Sequence, residues 1–201
     1  MEYRRSALAL AGAILFLPAT ASAQRFGGDF GGAGSFWSVY VNPGVGVERS
    51  FGIDLGGVVA LGGRGFLQTG RVRLGGGAVG GGFTDEGFNA AGNKVEGGLS
   101  FGGFTAEYLL IQQNYEVTAG AMIGGGVLTI EELLPAVPGD DPDVDRLRRR
   151  RDGIFAGYPW VRIGYNPAPF VNAGLQVGYF FGTEDVNGFA VGIDVGLGLI
   201  P

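Results

Sequence analysis

Residues 189–199 read Phe189-Ala190-Val191-Gly192-Ile193-Asp194-Val195-Gly196-Leu197-Gly198-Leu199, and they alternate between large apolar side chains and small or acidic ones. Because successive side chains of a β-strand point to opposite faces, this stretch predicts a strand with one apolar face. The other face is nearly bare apart from the carboxylate of Asp194. A soluble sheet can carry the same alternation, so the environment of the apolar face has to be inferred from the rest of the chain.

The N-terminus carries the parts of a secretory signal peptide. The Arg4-Arg5 pair forms a positive segment, residues 7–17 form an apolar segment, and Ala21-Ser22-Ala23 matches a cleavage site. We therefore expect the mature chain to begin at Gln24. Two-residue alternation behind an export signal predicts an all-β protein, an antiparallel up-and-down β-barrel located in the bacterial outer membrane.

Composition restricts the class of protein further. Glycine accounts for 42 of the 201 residues, yet aromatic residues reach 12%, which is more than disordered low-complexity chains retain. The net charge of −5 argues against nucleic acid as a partner. The chain has neither cysteine nor histidine, which excludes disulfides, cysteine or histidine metal ligands and histidine-based catalysis. We expect no enzymatic activity, no cofactor and no bound metal.

Turn signals divide the chain into eight predicted strands. These strands are 37–41, 45–66, 71–83, 94–112, 115–131, 154–165, 170–181 and 189–200. The count becomes nine if the second strand breaks at Gly56-Gly57 or Gly62-Gly63. The connections at 67–70, 113–114 and 166–169 are short, whereas those at 84–93, 134–153 and 183–188 are longer, with a tight Asn42-Pro43-Gly44 turn as the exception on their side. Short turns at one end and long loops at the other are typical of outer-membrane barrels, and this pattern favours eight strands.

On its signal peptide, alternation and loop asymmetry, the chain resembles the small eight-stranded outer-membrane β-barrel proteins of bacteria over residues 36–200. The predicted organisation is a signal peptide at 1–23, a glycine-rich segment at 24–35 and a single barrel domain at 36–201. One departure is the C-terminus, because such proteins usually close with an aromatic residue and this chain ends in Leu199-Ile200-Pro201.

Aromatic residues cluster near the predicted strand ends, where barrels carry girdles at the two membrane interfaces. They are Trp37, Phe51, Tyr108, Tyr115, Tyr165, Phe170, Tyr179, Phe181 and Phe189. Ordinary core packing explains any one of them, so only the set favours a membrane-spanning barrel.

If the apolar residues face lipid, a set of charged residues faces the barrel interior. The candidates are Glu48, Asp54, Arg71, Arg73, Glu96, Glu116, Arg162 and Asp194. Both signs are present, as a low-dielectric interior requires. We favour a plug of salt bridges, because eight-stranded barrels are barely wide enough for their own side chains. The alternative is a small polar pore or ligand cavity, for which the many glycines would leave space.

Glycine clusters occur in three consecutive predicted strands. They lie at 75–77, 80–82, 97–98, 102–103 and 124–126. Adjacent in an antiparallel sheet, they would form a patch without side chains. Such a patch predicts sharp curvature or, as the alternative, close packing against another subunit and hence self-association.

The predicted 134–153 loop carries two blocks of opposite charge. The acidic block is Asp140, Asp141, Asp143 and Asp145, and the basic block includes Arg148, Arg149, Arg150 and Arg151. Such blocks are usually solvated, and the acidic spacing does not match a calcium-binding loop. At the cell surface the arginines would be placed to bind lipopolysaccharide phosphates.

The sequence predicts location more firmly than function. We expect a barrel in contact with membrane lipid, with a structural, adhesive or passive small-solute pore role. Two alternatives remain open at this point. One is a secreted glycine-rich β-protein that polymerises into an extracellular filament or matrix, and the other is a soluble periplasmic β-sandwich that binds a ligand.

Overall fold

The computed structural model describes residues 30–42, 55–89, 91–134, 146–168 and 170–199, and these segments form nine β-strands. The strands are β1 Phe30–Val41, β2 Val58–Thr69, β3 Val72–Phe83, β4 Gly87–Phe88, β5 Lys94–Gln112, β6 Tyr115–Leu134, β7 Arg146–Ala168, β8 Val171–Gly182 and β9 Gly188–Leu199. Within these segments there is no helix long and apolar enough to cross a membrane.

Eight of the strands close into an antiparallel ring. The order around the ring is β3-β2-β1-β9-β8-β7-β6-β5, and β3 pairs with β5 to complete it. The two-residue strand β4 pairs only with the start of β5, in the predicted 84–93 connection. The predicted up-and-down barrel is therefore confirmed, and a two-layer β-sandwich is excluded because the sheet has no open edge around the ring.

Several predicted boundaries differ from the structure. The first strand begins at Phe30 rather than Trp37, because its glycine-rich first half pairs along β2 from Phe30 opposite Thr69 onwards. The predicted long strand at 45–66 is wrong at residues 55–57, which are not in a strand, and Gly56 has a positive φ of 67°. Residues 43–54 lie outside the described segments.

The loop asymmetry holds in the structure. Short connections link β2 to β3, β5 to β6 and β7 to β8 at one end, which we call the short-turn end. The connections after β1, β3 and β6 lie at the other end, the long-loop end, together with the connection after β8. This alternation of short and long connections is what an up-and-down membrane barrel shows.

In β9, the large apolar side chains lie on the outside of the ring and the small or acidic ones lie inside it, as the alternation predicts. Val191, Ile193 and Val195 are each about half exposed on the outside of the ring, whereas Ala190 and Asp194 are buried inside it. In β1, the prediction that Trp37 belongs to an outer aromatic girdle is wrong. Trp37 is fully buried and Phe36 points outward.

The reversal in β1 has a physical cause. Both faces of this strand carry large apolar side chains, so period two alone cannot tell inside from outside. The register decides, because Trp37 pairs with the inward-facing Asp194 of β9. Trp37 therefore belongs to the interior and not to a membrane girdle.

The barrel interior has two halves of different chemistry. Apolar side chains fill the long-loop half, and they include Val41, Val58, Val95, Leu99, Phe101, Leu128, Ile130, Ile154, Phe180 and Ala190. Three aromatic residues lie between the halves: Trp37 stacks on Tyr158 at 6.0 Å between ring centroids, and Trp160 contacts both. Charged side chains fill the short-turn half.

The glycine clusters form one continuous wall across β2, β3, β5 and β6. Gly63 pairs with Ala78, Ala78 with Gly102 and Gly102 with Gly125, so the outer face there is almost without side chains. A Cβ on Gly124 would collide with the carbonyl oxygen of Gly102 on the neighbouring strand. The wall needs glycine for close approach of its strands, which supports the curvature interpretation.

Candidate functional site

Six buried charged residues form the luminal charge cluster in the short-turn half of the barrel. They are Arg64, Arg73, Glu107, Glu116, Arg162 and Asp194. Three positive charges meet three negative charges, so the cluster is neutral as a whole. A neutral set of this kind avoids the large penalty of an unpaired charge in a dry interior.

The first part of the cluster is the pair Arg73–Glu116, which links β3 to β6. Two parallel hydrogen bonds join the guanidinium and the carboxylate, with Nη1···Oε1 at 2.9 Å and Nη2···Oε2 at 2.6 Å. The Nε of Arg73 also donates to Gln68 at 2.8 Å, and its guanidinium lies 4.6 Å from the ring centroid of Phe66. Bidentate geometry fixes the orientation of both side chains.

The second part is centred on Arg162 of β7. Its guanidinium binds Asp194 through two hydrogen bonds, at 2.8 and 2.9 Å, and also donates to Glu116 and to Asn172. A Cβ on Gly174 would collide with this guanidinium. Glycine at that position is therefore what leaves room for the arginine head group.

The third part is Arg64 of β2, which reaches across the lumen. It donates to Glu107 at 2.6 Å and lies 3.2 Å from an Asp194 oxygen. Its guanidinium also packs against Trp37 and Trp160, at 5.6 and 5.8 Å from the ring centroids. With Trp37 and Asn172 included, the contacts connect all eight strands of the ring.

This arrangement fills the short-turn half of the barrel with bonded side chains. Arg73, Glu116, Arg162 and Gln176 are all at most 1% exposed. These side chains are bonded to one another across the lumen, which is the arrangement that a plug of salt bridges would have. Its chemical capacity is to hold the strands in register and to obstruct passage.

The sequence candidates for the lumen divide into three groups. Arg73, Glu116, Arg162 and Asp194 face the interior and meet in one cluster. Two others do not face the lumen: Arg71 is exposed in the turn before β3, and Glu96 is exposed on the outer face beside Lys94 at 2.7 Å. Glu48 and Asp54 lie outside the described segments.

Arg64 and Glu107 are the cluster members that the sequence candidates did not include. Arg64 lies three positions from the outward-facing Leu61 and Leu67, so it has the parity of the interior. Glu107 likewise precedes the outward-facing Tyr108. Parity was a usable signal for both, but the glycines around Arg64 weaken the alternation there.

The predicted 134–153 loop is shorter than expected, because the arginine block lies in a strand. Residues 146–153 pair with 127–134 of β6, with Arg149 opposite Glu131 and Arg148 opposite Glu132. Arg149 forms a 2.6 Å salt bridge with Glu131 on the outer face. Asp140, Asp141, Asp143 and Asp145 lie outside the described segments.

Glu132 anchors the corner beside this strand. Its carboxylate accepts hydrogen bonds from Asn93 at 2.8 Å and from Asn89 at 2.6 Å. The hydrogen bond from Asn93, then that from Asn89 and the charge of Arg148, keep the pKa of Glu132 below its usual value. The carboxylate therefore stays ionised next to the arginines.

Within the described segments, no three acidic residues lie together in a way that could hold a metal ion. A shallow apolar groove of about 400 Å³ lies on the outer wall near the short-turn end, between Tyr115, Tyr165 and Leu175. The large apolar side chains of its lining, among them Ile163, Leu175 and Ile193, point to the outside of the barrel.

Comparisons with known proteins give structural neighbours only. No family model matches the chain, and no curated protein matches it. Among solved structures, it is similar to Ail, the attachment invasion locus protein of Yersinia pestis, with 13% identity, coverage of 86% of this chain and 97% of that one, and a TM-score of 0.45. The chain is also similar to a structure of Ail in complex with the heparin analogue sucrose octasulfate, with 11% identity, coverage of 86% of this chain and 97% of that one, and a TM-score of 0.43. Its similarity to Neisserial surface protein A (NspA) has 11% identity, coverage of 85% of this chain and 96% of that one, and a TM-score of 0.38.

Proposed function

We propose that this chain is an outer-membrane β-barrel with a closed lumen and a structural or adhesive role. The observation that carries the proposal is the outer surface of the ring. All eight strands contribute exposed large apolar side chains to it, and no described outward-facing residue is charged in the band that runs from Tyr165 to Phe155 on β7 and across the paired strands. The outward-facing charged residues lie beyond this band at the long-loop end, and they include Glu96, Glu131, Arg149 and Arg151. Exposure of such an apolar surface to water is unfavourable, whereas its contact with the hydrocarbon of a bilayer is favourable.

The height of the apolar band supports a bilayer as its environment. Tyr115 and Tyr165 are paired on the outer face at the short-turn end, and Tyr179 contacts Phe189 at the long-loop end. On β7, Tyr165 and the outward-facing Phe155 are about 33 Å apart along the strand at the usual rise. With the usual strand tilt, this span is about 25 Å along the membrane normal, the height of an outer-membrane band.

The closed lumen favours a structural or adhesive role over a passive pore. The luminal charge cluster and the Trp37–Tyr158–Trp160 group occupy the interior from strand to strand. A solute would have to break several buried ion pairs to pass. Beyond the apolar band, β6 and β7 extend the wall at the long-loop end and display the arginine block there.

Fractionation of cells that express the full chain tests the location. We expect the protein in the outer-membrane pellet, extraction only with detergent, and faster gel migration of the unheated form. Release in soluble form by osmotic shock would contradict the proposal. Reconstitution in planar bilayers tests the lumen, because a closed barrel gives no sustained conductance and a stepwise conductance would favour the pore role instead.

A lipopolysaccharide contact and self-association stay predictions. The first is supported by Arg149 and Arg151 on the outer face just beyond the apolar band, where lipid phosphates would lie. The second is supported by the bare outer face of the glycine wall. Cross-linking in membranes measures the second, and a monomer at all protein densities would contradict it.

A further inference from the structure

Several polar side-chain atoms in the middle of the barrel are buried and form no hydrogen bond with any protein group. Among the described residues, seven such atoms lie on the inner face of the ring. They are Ser35 Oγ, Trp37 Nε1, Arg64 Nε, Glu107 Oε2, Thr118 Oγ1, Trp160 Nε1 and Gln176 Oε1. All except Ser35 belong to residues that are at most 6% exposed. Because the large majority of buried polar atoms are paired with protein or with water, this concentration needs a physical explanation.

The strand register brings part of this set together beside Gly120. Glu107 pairs with Gly120, and Gly120 pairs with Trp160. A Cβ on Gly120 would lie 2.7 Å from the Glu107 Cγ and 3.1 Å from the Trp160 Cε2, the ring carbon bonded to Nε1. The carboxylate and the indole N–H therefore flank the same point. Thr118 is the next inward-facing residue of β6 toward the short-turn end.

Other members of the set adjoin the three interior aromatic residues. The guanidinium carbon of Arg64 lies 5.6 Å from the ring centroid of Trp37 and 5.8 Å from that of Trp160. Gln176 donates through Nε2 to the Tyr158 hydroxyl at 3.1 Å, while its Oε1 accepts from no protein group. Tyr158 in turn stacks on Trp37 and contacts Trp160. The set therefore lies between the aromatic residues and the luminal charge cluster.

The chemistry of these atoms calls for a partner that both donates and accepts. Three of them are N–H nitrogens that only donate, two are oxygens that only accept, and two are hydroxyls that do both. None lies within hydrogen-bond reach of another. Glu107 illustrates the distances involved, because its Oε2 lies 3.8 Å from the Arg73 Nη1, too far for a hydrogen bond. A bridging water is the usual link between polar groups at such separations.

Charge favours water over an ion at this place. The luminal charge cluster is neutral, with three arginines and three carboxylates. A cation here would lie beside Arg64 and an anion beside Glu107, so either ion would add a repulsive contact in a buried setting. Water adds no charge, and one molecule bonds to two to four polar groups.

We propose that bound water molecules occupy the middle of the barrel and bridge the two indole N–H groups to Glu107, Thr118 and Gln176. These waters join the aromatic residues to the luminal charge cluster, so that the plug is one network of side chains and water. The inference goes beyond the proposed function and does not rest on it, because the site lies inside the ring whatever surrounds the barrel.

The two indole groups provide a direct test, because the chain contains only two tryptophans. The full chain is folded in detergent with isotope-labelled tryptophan, and Trp37→Phe and Trp160→Phe assign the two signals. The Raman band of the indole ring that responds to N–H hydrogen bonding should lie at its bonded position for both residues. In nuclear magnetic resonance spectra, each indole N–H should show the Overhauser cross-peak to water that only long-lived bound water gives.

Thr118→Val removes one buried hydroxyl, and Thr129→Val, on the outer face of the same strand, is the matched control. Both variants should keep the indole bands at the bonded position, because Glu107 and Gln176 still hold the water. Loss of bonding in Thr118→Val alone would make the threonine hydroxyl the direct partner and would overturn the proposal. Unbonded indole bands in the unmodified chain, or bonded bands without a water cross-peak, would overturn it as well. Failure of the membrane assignment would appear only in the fractionation experiment.

Discussion

At the scale of single residues, Glu116 is the carboxylate on which the luminal charge cluster depends most. It accepts from both Arg73 and Arg162 and is fully buried. Glu116→Gln keeps the size of the side chain but leaves two guanidinium groups without their shared counter-charge. We expect a loss of about 3–5 kcal/mol in the free energy of unfolding, the usual effect of breaking a buried pair from one side.

Glu96→Gln is the control for this change, because Glu96 forms its salt bridge with Lys94 on the exposed outer face. Surface pairs of this type contribute about 0–1 kcal/mol. Denaturant unfolding of both variants in the same lipid measures the difference. Similar losses in the two variants would mean that the buried cluster does not hold the strands together.

Residue-level prediction from the sequence succeeded where the neighbouring residues alternate clearly. Asp194 lies between the outward-facing Ile193 and Val195, and its side chain is buried inside the ring. Arg64 stands among glycines, and Trp37 stands on a strand with two apolar faces. Around both residues, large apolar and polar side chains do not alternate clearly. Only the register of the closed sheet therefore shows which of their side chains face the interior.

At the scale of elements, the glycine wall gives two neighbouring positions with opposite expectations. A Cβ on Gly124 would collide with the backbone of β5, whereas the nearest atom to a Cβ on Gly125 is 3.4 Å away. Gly124→Ala should lower the free energy of unfolding by more than about 2 kcal/mol, in the range of overpacked sites. Gly125→Ala should be neutral or raise it by up to about 1 kcal/mol, because alanine restricts the unfolded chain.

The same unfolding assay measures both variants, and the comparison is internally controlled because the chemical change is identical. If Gly125→Ala, on the outer face, loses as much stability as Gly124→Ala, on the inner face, close strand approach cannot explain the need for glycine at position 125. That result would favour the subunit-packing interpretation over curvature.

Element boundaries were predictable where turns are short and marked. The turns at 113–114 and after residue 66 follow from their polar residues. The start of β7 could not be predicted from the sequence, because a block of arginines usually indicates a solvated loop. Pairing with Glu131 and Glu132 of β6 supplies counter-charges for Arg149 and Arg148, and this long-range contact makes the strand possible.

At the scale of the whole molecule, the membrane assignment predicts that the effect of a charge depends on its depth. Leu175 points outward near the middle of β8, about halfway between the aromatic residues at the two ends, whereas Thr69 is exposed at the short-turn end of β2. Leu175→Arg should lower the free energy of unfolding in lipid by about 2–4 kcal/mol, and Thr69→Arg by about 0–1 kcal/mol. Denaturant titrations of both variants in vesicles measure the difference. In a protein whose outer surface faces water, two exposed sites would respond alike, within about 0.5 kcal/mol. A larger loss for Leu175→Arg than for Thr69→Arg could not come from broken contacts, because the change leaves no described polar group unpaired. Only hydrocarbon around the barrel would make the charge at position 175 unfavourable.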